Sequence, residues 1–284
     1  MLGGTSIFWS RSVAAAKNVQ PLSFAIVTDT HLGRNDSKTP EKNWRQAISE
    51  LNQVDVKFVL HLGDVVDRGR EAQYPIYAST QALLKHPIHE IPGNHDPVEL
   101  FTKHVSQEID RTFDVNNVRF VLFNNAHRDS HDGFISEAQN KWIAEQCDAA
   151  ARNDMNIVIG CHVPVHENRH PDRGWYVKPN DGQAGFYETV EKHKKRLLAC
   201  LHGHFHNGIR GWRDHGHTVE VLCPSVCYNQ NRQLAAHIAN GKASGFFVDE
   251  LRPGYVLAEL GDGRFTMRYK PLGGDLNGEY MAKW

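Results

Sequence analysis

The chain has 284 residues, a formal net charge of −1 and a hydrophobic fraction of 40%. This length permits one large domain or two small ones. A chain so near neutrality has no overall attraction to duplex nucleic acid or to an anionic membrane, and no apolar run approaches the ~18 residues of a transmembrane helix. The unusual feature is the number of histidines, 18, which favours metal binding or acid–base chemistry.

The cysteines predict free thiols rather than a disulfide framework. Their number, five, is odd, no C-x-x-C pair occurs, and two of them fall within predicted strands. Buried free thiols fit a reducing compartment, and this favours a cytoplasmic location. The positions are Cys147, Cys161, Cys200, Cys223 and Cys227.

Residues 1–20 leave two interpretations open. The apolar residues 7–9 and the alanines of residues 14–16 resemble the later half of an export signal, which would direct the protein to the periplasm. The basic start and the longer apolar core of such a signal are missing, and this favours a disordered or loosely docked tail. We expect residues 21–284 to form a single domain, because no linker or internal repeat divides them.

Strand-like and helix-like patterns alternate through the first two-thirds of the chain. In the clearest predicted helix, Ile143, Cys147 and Ala150 share one face. Such alternation predicts an α/β fold with parallel strands. The predicted elements are a strand over residues 24–28, a helix over 39–51, a strand over 56–62, a helix over 74–85, strands over 88–91 and 118–123, a helix over 136–152 and a strand over 156–160.

The rest of the chain begins with a long irregular insertion, residues 164–185. It is rich in Pro, Gly, His and Asp, and its place between two site-building strands favours a role over the site mouth. Its His166 and His170 are candidates for substrate contact. The other histidines, expected at the surface or around the ligands, include His86, His104, His127 and His237.

After the insertion the pattern predicts a helix over residues 181–195 and a strand over 197–201. Short alternating strands then predict antiparallel pairing in a second sheet. These strands cover residues 218–222, 245–248, 255–260 and 264–269.

The predicted site is organised by residues 63–69, with the sequence GDVVDRG. The apolar residues before them predict a buried strand, so that Gly63 turns the backbone and leaves Asp64 at the carboxyl end of the strand. Ligands of open α/β sheets bind at such ends. Four other predicted strands end similarly, and we expect all five ends at one edge of a sheet. Their polar residues are Asp29 and His31, Asn94 and His95, His162, and His204 and His206.

These side chains predict a metal site. Aspartate, imidazole and amide oxygen without thiolate suit manganese, iron or zinc. Seven ligands are too many for one ion with an open position, but they suit two ions that share one carboxylate. Two ions roughly 3.5–4 Å apart can clamp both oxygens of an in-line displacement, and they lower the pKa of a shared water so that hydroxide forms near neutral pH. We therefore expect two divalent or mixed-valence ions of these metals.

The motifs D-x-H, G-D, G-N-H-D, H-x-P and G-H-x-H follow one another from Asp29 to His206. In this order the sequence resembles the calcineurin-like metallophosphoesterase superfamily. The resemblance implies a four-layer α/β/β/α sandwich of two mixed β-sheets flanked by helices, with a dinuclear metal site at the strand ends. The ligands it implies are Asp29, His31 and His206 for one ion, Asn94, His162 and His204 for the other, and Asp64 for both.

The resemblance also implies catalytic residues. His95 would stay off the metals, face the phosphoryl group, and protonate or stabilise the leaving oxygen. The GDVVDRG string is similar to protein Ser/Thr phosphatases, where the second aspartate orients the catalytic histidine and the arginine grips phosphate. Asp67 and Arg68 would then have those roles, although an ordinary turn contact between them explains the pair equally well.

Two differences from other phosphatases of this superfamily indicate which branch the sequence resembles. Purple acid phosphatases have a tyrosine where this chain has Asp67, and protein Ser/Thr phosphatases lack the G-H-x-H ending. The combination of G-N-H-D with G-H-x-H is most similar to the cyclic-nucleotide phosphodiesterase-like branch, in which specificity is broad. The expected substrate is a phosphate ester, with a cyclic nucleotide as one candidate.

Two classes of function compete for this sequence. Asp64, Asn94 and His95 are all present, which favours a metal-dependent phosphodiesterase or phosphomonoesterase whose bridging hydroxide attacks phosphorus in line. The alternative is a non-catalytic metal- or nucleotide-binding scaffold that retains the fold. No G-x-S-x-G, G-x-x-x-x-G-K-[ST] or G-x-G-x-x-G motif indicates another chemistry.

Overall fold

The computed structural model describes residues 7–10, 19–167, 174–212, 220–230, 252–261, 263–275 and 277–283. The strands are β1 (Ile7–Ser10), β2 (Leu22–Val27), β3 (Val59–His61), β4 (Ile88–Glu90), β5 (Arg111–Val115), β6 (Val118–Leu122), β7 (Asn156–Gly160), β8 (Leu197–His202), β9 (Arg210–Trp212), β10 (Glu220–Leu222), β11 (Gly254–Gly261), β12 (Arg264–Pro271) and β13 (Asn277–Lys283). The helices are α1 (Thr39–Leu51), α2 (Tyr74–Gln81), α3 (Val98–His104), α4 (Glu137–Arg152) and α5 (Gln183–Lys192).

These strands form two mixed sheets. Within the described residues, the first has the order β1-β13-β12-β11-β2-β3-β4 and the second has the order β5-β6-β7-β8-β10-β9. The predicted parallel strands are parallel in both: β2 pairs with β3 and β3 with β4 in the first, and β6 pairs with β7 and β7 with β8 in the second.

A shared apolar core lies between the sheets. The ring of Phe24 in β2 stacks on that of Phe58 with centroids 5.1 Å apart, and the ring of Phe120 in β6 meets both edge-on, at 5.3 and 5.0 Å. All three side chains are buried. Because burial of one such side chain contributes about 1.5–3 kcal/mol, these rings hold the two sheets face to face.

Helices cover the outer face of each sheet. Trp44 of α1 belongs to one buried cluster with Val27 of β2. Ile143 of α4 belongs to another with Ile159 of β7. The expected four-layer α/β/β/α sandwich is therefore confirmed. No helix in the described ranges combines the length and apolarity needed to cross a bilayer.

The prediction for the last strands is wrong in one respect. The strands predicted at residues 255–260 and 264–269 are antiparallel, but they extend the first sheet, because β11 pairs with β2. The strand predicted at residues 218–222 is β10, which joins the second sheet and runs parallel to β8. Alternation of apolar and polar residues indicates which face of a strand is buried. It carries no information about which sheet the strand joins. Residues 245–248 lie outside the described ranges.

Several short elements carry too weak a pattern to be predicted from the sequence: α3, β1, β5, β9 and β13. Strand β1 lies within residues 1–20 and pairs in parallel with β13. The helix predicted over residues 181–195 begins later, at Gln183, after a short 3-10 turn over Pro179–Asp181.

The five polar strand ends come from both sheets, not from one edge of a single sheet. β2, β3 and β4 belong to the first sheet, whereas β7 and β8 belong to the second. Their ends meet because the backbone N–H of His204, after β8, donates to Oδ2 of Asp29, after β2, at 3.0 Å. The site therefore lies where strand ends from both sheets meet.

Candidate metal centre

The turns that carry the polar residues have unusual backbone conformations. Asp29, His31, Asp64, His204 and His206 all have positive φ, between 44° and 75°. This left-handed region is uncommon for residues other than glycine, and each case costs on the order of 1–3 kcal/mol. Such strain is retained where the surrounding structure imposes it, and it is concentrated here on the residues of the site.

Close contact between two of these turns requires a glycine. A Cβ at Gly93 would lie 2.1 Å from Oδ1 of Asp64, so any larger residue would displace that carboxylate. Asp96 fastens the same turns together, since its carboxylate accepts the backbone N–H groups of Val65 at 3.0 Å and Gly93 at 3.0 Å. Gly93 and Asp96 thus fix the position of Asp64.

One cluster of potential ligand atoms joins the first sheet to the second. Nε2 of His206 lies 2.9 Å from Oδ1 of Asp29 and 3.0 Å from Nε2 of His31. Nε2 of His31 lies 3.6 Å from the same oxygen of Asp29. All three residues are buried, and their atoms are close enough to hold one ion.

A second cluster lies beside the first. Nε2 of His162 is 3.3 Å from Oδ2 of Asp64 and 3.2 Å from Nδ1 of His204. The same Oδ2 of Asp64 lies 3.3 Å from Nε2 of His31, in the first cluster. Asp64 therefore contacts both groups of potential ligands.

Asn94 lines the same cleft as Asp64 and His204 and offers an unused acceptor there. Its side chain is buried, and its Oδ1 has no hydrogen-bond partner among the described residues. A buried polar atom without a partner costs about 1–3 kcal/mol. A buried amide oxygen without a hydrogen-bond partner is suited to coordinate a cation.

Three of the four histidines in the two clusters have their second nitrogen within hydrogen-bond distance of a carbonyl oxygen. Nδ1 of His162 lies 2.7 Å from the carbonyl of Leu62, and Nε2 of His204 lies 2.9 Å from that of His131. Because a carbonyl can only accept, these nitrogens carry the protons and the other nitrogens are free to bind a metal. Nδ1 of His206 makes an equivalent contact with the carbonyl of Tyr228 at 3.0 Å. Nδ1 of His31 has no hydrogen-bond partner among the described residues and lies 3.5 Å from Oδ1 of Asp67.

The electrostatics of the centre favour a cation. Burial alone would raise the pKa of Asp29, but the neighbouring His206 and His31 outweigh it and hold that pKa well below its ordinary value. Burial would lower the pKa of His31, yet the carboxylates of Asp64 and Asp29 raise it to about 10. Burial also opposes a charge on His162, whose pKa Asp64 raises to about 9. Protons on these histidines thus balance the carboxylates, and metal ions would replace those protons.

His95 lies at the edge of the centre, with Asp67 beside it. Its Nδ1 accepts the backbone N–H of Arg68 at 3.0 Å and lies 3.4 Å from Oδ1 of Asp67. The side chain of Arg68 is 74% exposed, and its Nε is 3.8 Å from Asp67. The structure therefore brings Asp67 to His95, whereas the guanidinium of Arg68 extends into solvent.

The sequence does not predict the role of Arg34. Its Nη1 lies 3.5 Å from Oδ1 of Asp67, and its guanidinium carbon lies 4.3 Å from the centre of the Tyr228 ring. Arg34 is in no motif, and Tyr228 is distant along the chain, so no sequence signal marks the pair.

A cleft of about 600 Å³ opens above the centre. Arg34 and Tyr228 line it, as do Trp175 and His131. His166 is buried and is not among the lining residues, because its backbone N–H bonds to Glu220 at 3.1 Å. His170 and His237 lie outside the described ranges. The five cysteines are free and buried, as predicted.

Comparisons with known proteins agree with this centre. Residues 22–208 match the calcineurin-like phosphoesterase family. A 3′,5′-cyclic-nucleotide phosphodiesterase of Nostoc sp. is 23% identical over 87% of this chain and 91% of that protein. The 3′,5′-cyclic adenosine monophosphate phosphodiesterase CpdA of Pseudomonas aeruginosa is 26% identical over 81% of this chain and 79% of that protein.

The fold has relatives among solved structures. A dimetal phosphatase from Danio rerio superposes with a TM-score of 0.68 at 16% identity, covering 93% of this chain and 99% of that one. The family match covers most of the chain, including all seven potential ligands. The chain therefore belongs to the calcineurin-like phosphoesterase family, and it is a hydrolase of phosphoric esters.

Proposed function

We propose that this protein is a two-metal phosphodiesterase and that a cyclic nucleotide is among its substrates. The observation that carries the proposal is the pair of ligand clusters that share Asp64. The names of the relatives from Nostoc and Pseudomonas support the substrate class. The family match and the open cleft above the clusters favour an enzyme over a non-catalytic scaffold.

Seven residues would hold the two ions. In the proposal, Asp29, His31 and His206 hold one ion, and Asp64 bridges it to the second. Asn94, His162 and His204 hold that second ion. These oxygen and nitrogen donors suit manganese, iron or zinc. When bound, the two ions supply Lewis-acid activation of a water and of the phosphoryl oxygens.

In the proposal, His95 donates the proton to the leaving oxygen. Its Nδ1 lone pair receives the backbone N–H of Arg68, so the neutral ring carries its proton on Nε2. Asp67 lies 3.4 Å from that Nδ1 and, in the proposal, holds the ring in position. Arg68 lines the cleft with an exposed side chain, and in the proposal its guanidinium binds phosphate.

The remaining assignments follow from the sequence. We propose that residues 21–284 form one domain. A cytoplasmic location is our preferred assignment, supported by five unpaired buried thiols.

Removal and replacement of the metal tests the proposal. The protein is stripped with a chelator, its metal content is measured, and hydrolysis of an activated aryl phosphodiester and of a cyclic nucleotide is followed. We expect hydrolysis to be abolished and then restored by manganese or a similar ion, up to about two ions per chain. Full activity of protein confirmed to be metal-free would contradict the proposal. A protein loaded with two ions that hydrolyses neither ester would contradict it as well.

A further inference from the structure

The cleft has an aromatic wall on the side of the second cluster. The rings of Trp175 and His131 stack with centroids 4.1 Å apart and planes within 18°. Both residues line the cleft. The carbonyl of His131 holds Nε2 of His204 at 2.9 Å, so this wall is fixed directly to a proposed metal ligand.

The wall is built from two segments that the structure holds together. Trp175 comes from the insertion, and His131 comes from the loop after β6. The backbone N–H of Tyr176 donates to Oδ1 of Asp132 at 3.2 Å, and Nζ of Lys178 lies 3.1 Å from the same atom. The backbone N–H of Val177 donates to Pro164 at 3.1 Å. These bonds hold the three residues that follow Trp175, and none of them involves a proposed metal ligand.

The wall lies within reach of a group attached to a phosphate at the centre. The ring of Trp175 is 5.1 Å from that of His204. The cleft, at about 600 Å³, has the size of pockets that hold drug-sized ligands. A phosphate alone occupies only a small part of such a volume.

The part of the cleft beside the first cluster has a different lining. There the guanidinium of Arg34 lies over the Tyr228 ring, and Tyr228 lies against His206, with ring centroids 4.3 Å apart. Arg128 also lines the cleft. Beside its carboxylates the cleft thus has cationic and aromatic side chains, and a nucleotide offers the matching anionic phosphate and planar base.

We propose that Trp175 and His131 form the wall against which the base of a nucleotide substrate packs while its phosphate occupies the metal centre. This inference rests on the proposed function and adds to it the residues that select a base. Stacking of a base on an aromatic side chain contributes about 5–150-fold in affinity. The residues that bind phosphate do not distinguish a nucleotide from a sugar phosphate.

The test is the affinity gained from the base. Binding of adenosine 5′-monophosphate and of ribose 5-phosphate is measured by calorimetry on the metal-loaded protein, for the wild type and for Trp175→Ala and Trp175→Phe. We expect the wild type to prefer the nucleotide by about 5–150-fold, Trp175→Ala to lose most of that preference, and Trp175→Phe to keep most of it. Affinity for ribose 5-phosphate should stay constant throughout. The control is Phe134→Ala, an exposed aromatic that packs on His127 and is not among the residues lining the cleft.

Kinetics supply the second measurement. For a cyclic purine nucleotide, Trp175→Ala should raise KM by a similar factor at nearly constant kcat, and a glycerol phosphodiester without a ring should show no change. A nucleotide preference that survives in Trp175→Ala, or an equal loss with both ligands, would overturn the inference. If the loaded wild type hydrolyses no ester but the preference in binding depends on Trp175, the proposed function fails and the base wall stands.

Discussion

Among single residues, Asp64 has the most connected position in the centre. One carboxylate oxygen lies 3.3 Å from a histidine of each cluster, and the other accepts the backbone N–H of His95 at 2.8 Å. Its left-handed backbone and the contact with Gly93 leave it one placement. Loss of this carboxylate should therefore affect both ions together.

We predict that Asp64→Ala lowers metal content and turnover more than any other single ligand change. Removal of His31 or Asn94 leaves the other cluster complete, whereas removal of Asp64 leaves neither complete. Elemental analysis of the Asp64, His31 and Asn94 alanine variants provides the comparison, with turnover measured beside it. We expect turnover of Asp64→Ala to fall by at least about 10²-fold, because even partners outside the ligand shell change activity or affinity by 10–100-fold. Two ions per chain with normal turnover in this variant would show that Asp64 does not bridge.

We predict that the effect of His95→Ala depends on the leaving group. A residue that protonates the leaving oxygen contributes about 10²–10⁴-fold, and an alkoxide needs that proton whereas an aryl oxide departs without it. The loss should be large for a cyclic nucleotide and smaller for an aryl diester, with metal content unchanged. The matched control is His127→Ala, an exposed histidine not among the residues that line the cleft. Equal losses on both substrates would indicate phosphate positioning, and loss of one ion would show that His95 is a ligand.

The sequence predicts the residues that meet in the centre, but not the groups that orient them. Asp, His and Asn in fixed motifs mark the strand ends. The carbonyls of Leu62, His131 and Tyr228 belong to no motif, since every residue has a carbonyl, and only the fold decides which one reaches a histidine. Arg34 also belongs to no motif, and its partners Asp67 and Tyr228 are distant along the chain.

At the level of elements, strand β4 carries a buried acid away from the metals. Glu90 accepts the hydroxyl of Tyr77 in α2 at 2.5 Å and the amide of Gln81 at 3.1 Å. Burial raises the pKa of Glu90 from 4.5 to about 7, although these hydrogen bonds oppose the shift. We therefore expect the contact between α2 and the first sheet to depend on pH.

We predict that the free energy of unfolding contains a component from Glu90 that is present at low pH and lost on alkalinisation. Its folded pKa is raised, so the folded state binds the proton more tightly than the unfolded state does. The stabilisation is complete below pH 4.5 and disappears as pH rises through about 7. A shift of this size corresponds to about 3 kcal/mol.

Urea unfolding of the chelated wild type and of Glu90→Gln at pH 5 and pH 8 measures this component. The amide cannot titrate, so the variant should lose less stability between the two pH values than the wild type does. Gln81→Ala is a control that keeps the acid and removes one partner. Identical pH dependence in the wild type and Glu90→Gln would contradict the raised pKa.

Elements whose apolar pattern repeats over many residues are predicted well. Short strands, and strands whose sheet is decided by their pairing partners, are not. Helix α1 is predicted at Thr39–Leu51 and has those bounds, because its apolar face repeats over several turns. Strand β9 has three residues and β5 has five, too few for a clear period. The strands after β10 have a clear period, yet pairing with β2 in the first sheet is decided by tertiary contacts.

For the molecule as a whole, the centre joins two sheets that are otherwise held together by their common core. Asp29 and Asp64 follow strands of the first sheet, and His162, His204 and His206 follow strands of the second. Each proposed ion therefore has ligands from both sheets. Binding of the metals should link the sheets at this end, whereas the phenylalanine core links them elsewhere.

We predict that metal removal lowers stability and loosens both sheets at the site end. A ligand whose concentration is about 100 times its Kd stabilises the native state by about 2.7 kcal/mol. Without the ions, the strained turns of the clusters lose the bonds that compensate for their strain. The denaturation midpoint of the loaded protein should exceed that of the chelated protein, and the difference should shrink in Asp64→Ala. In hydrogen exchange, chelation should reduce protection at the turns after β2 and β3 and also at those after β7 and β8, while strands β6 and β11 change little. Reduced protection in one sheet alone, or an unchanged midpoint, would mean that the ions do not connect the two sheets.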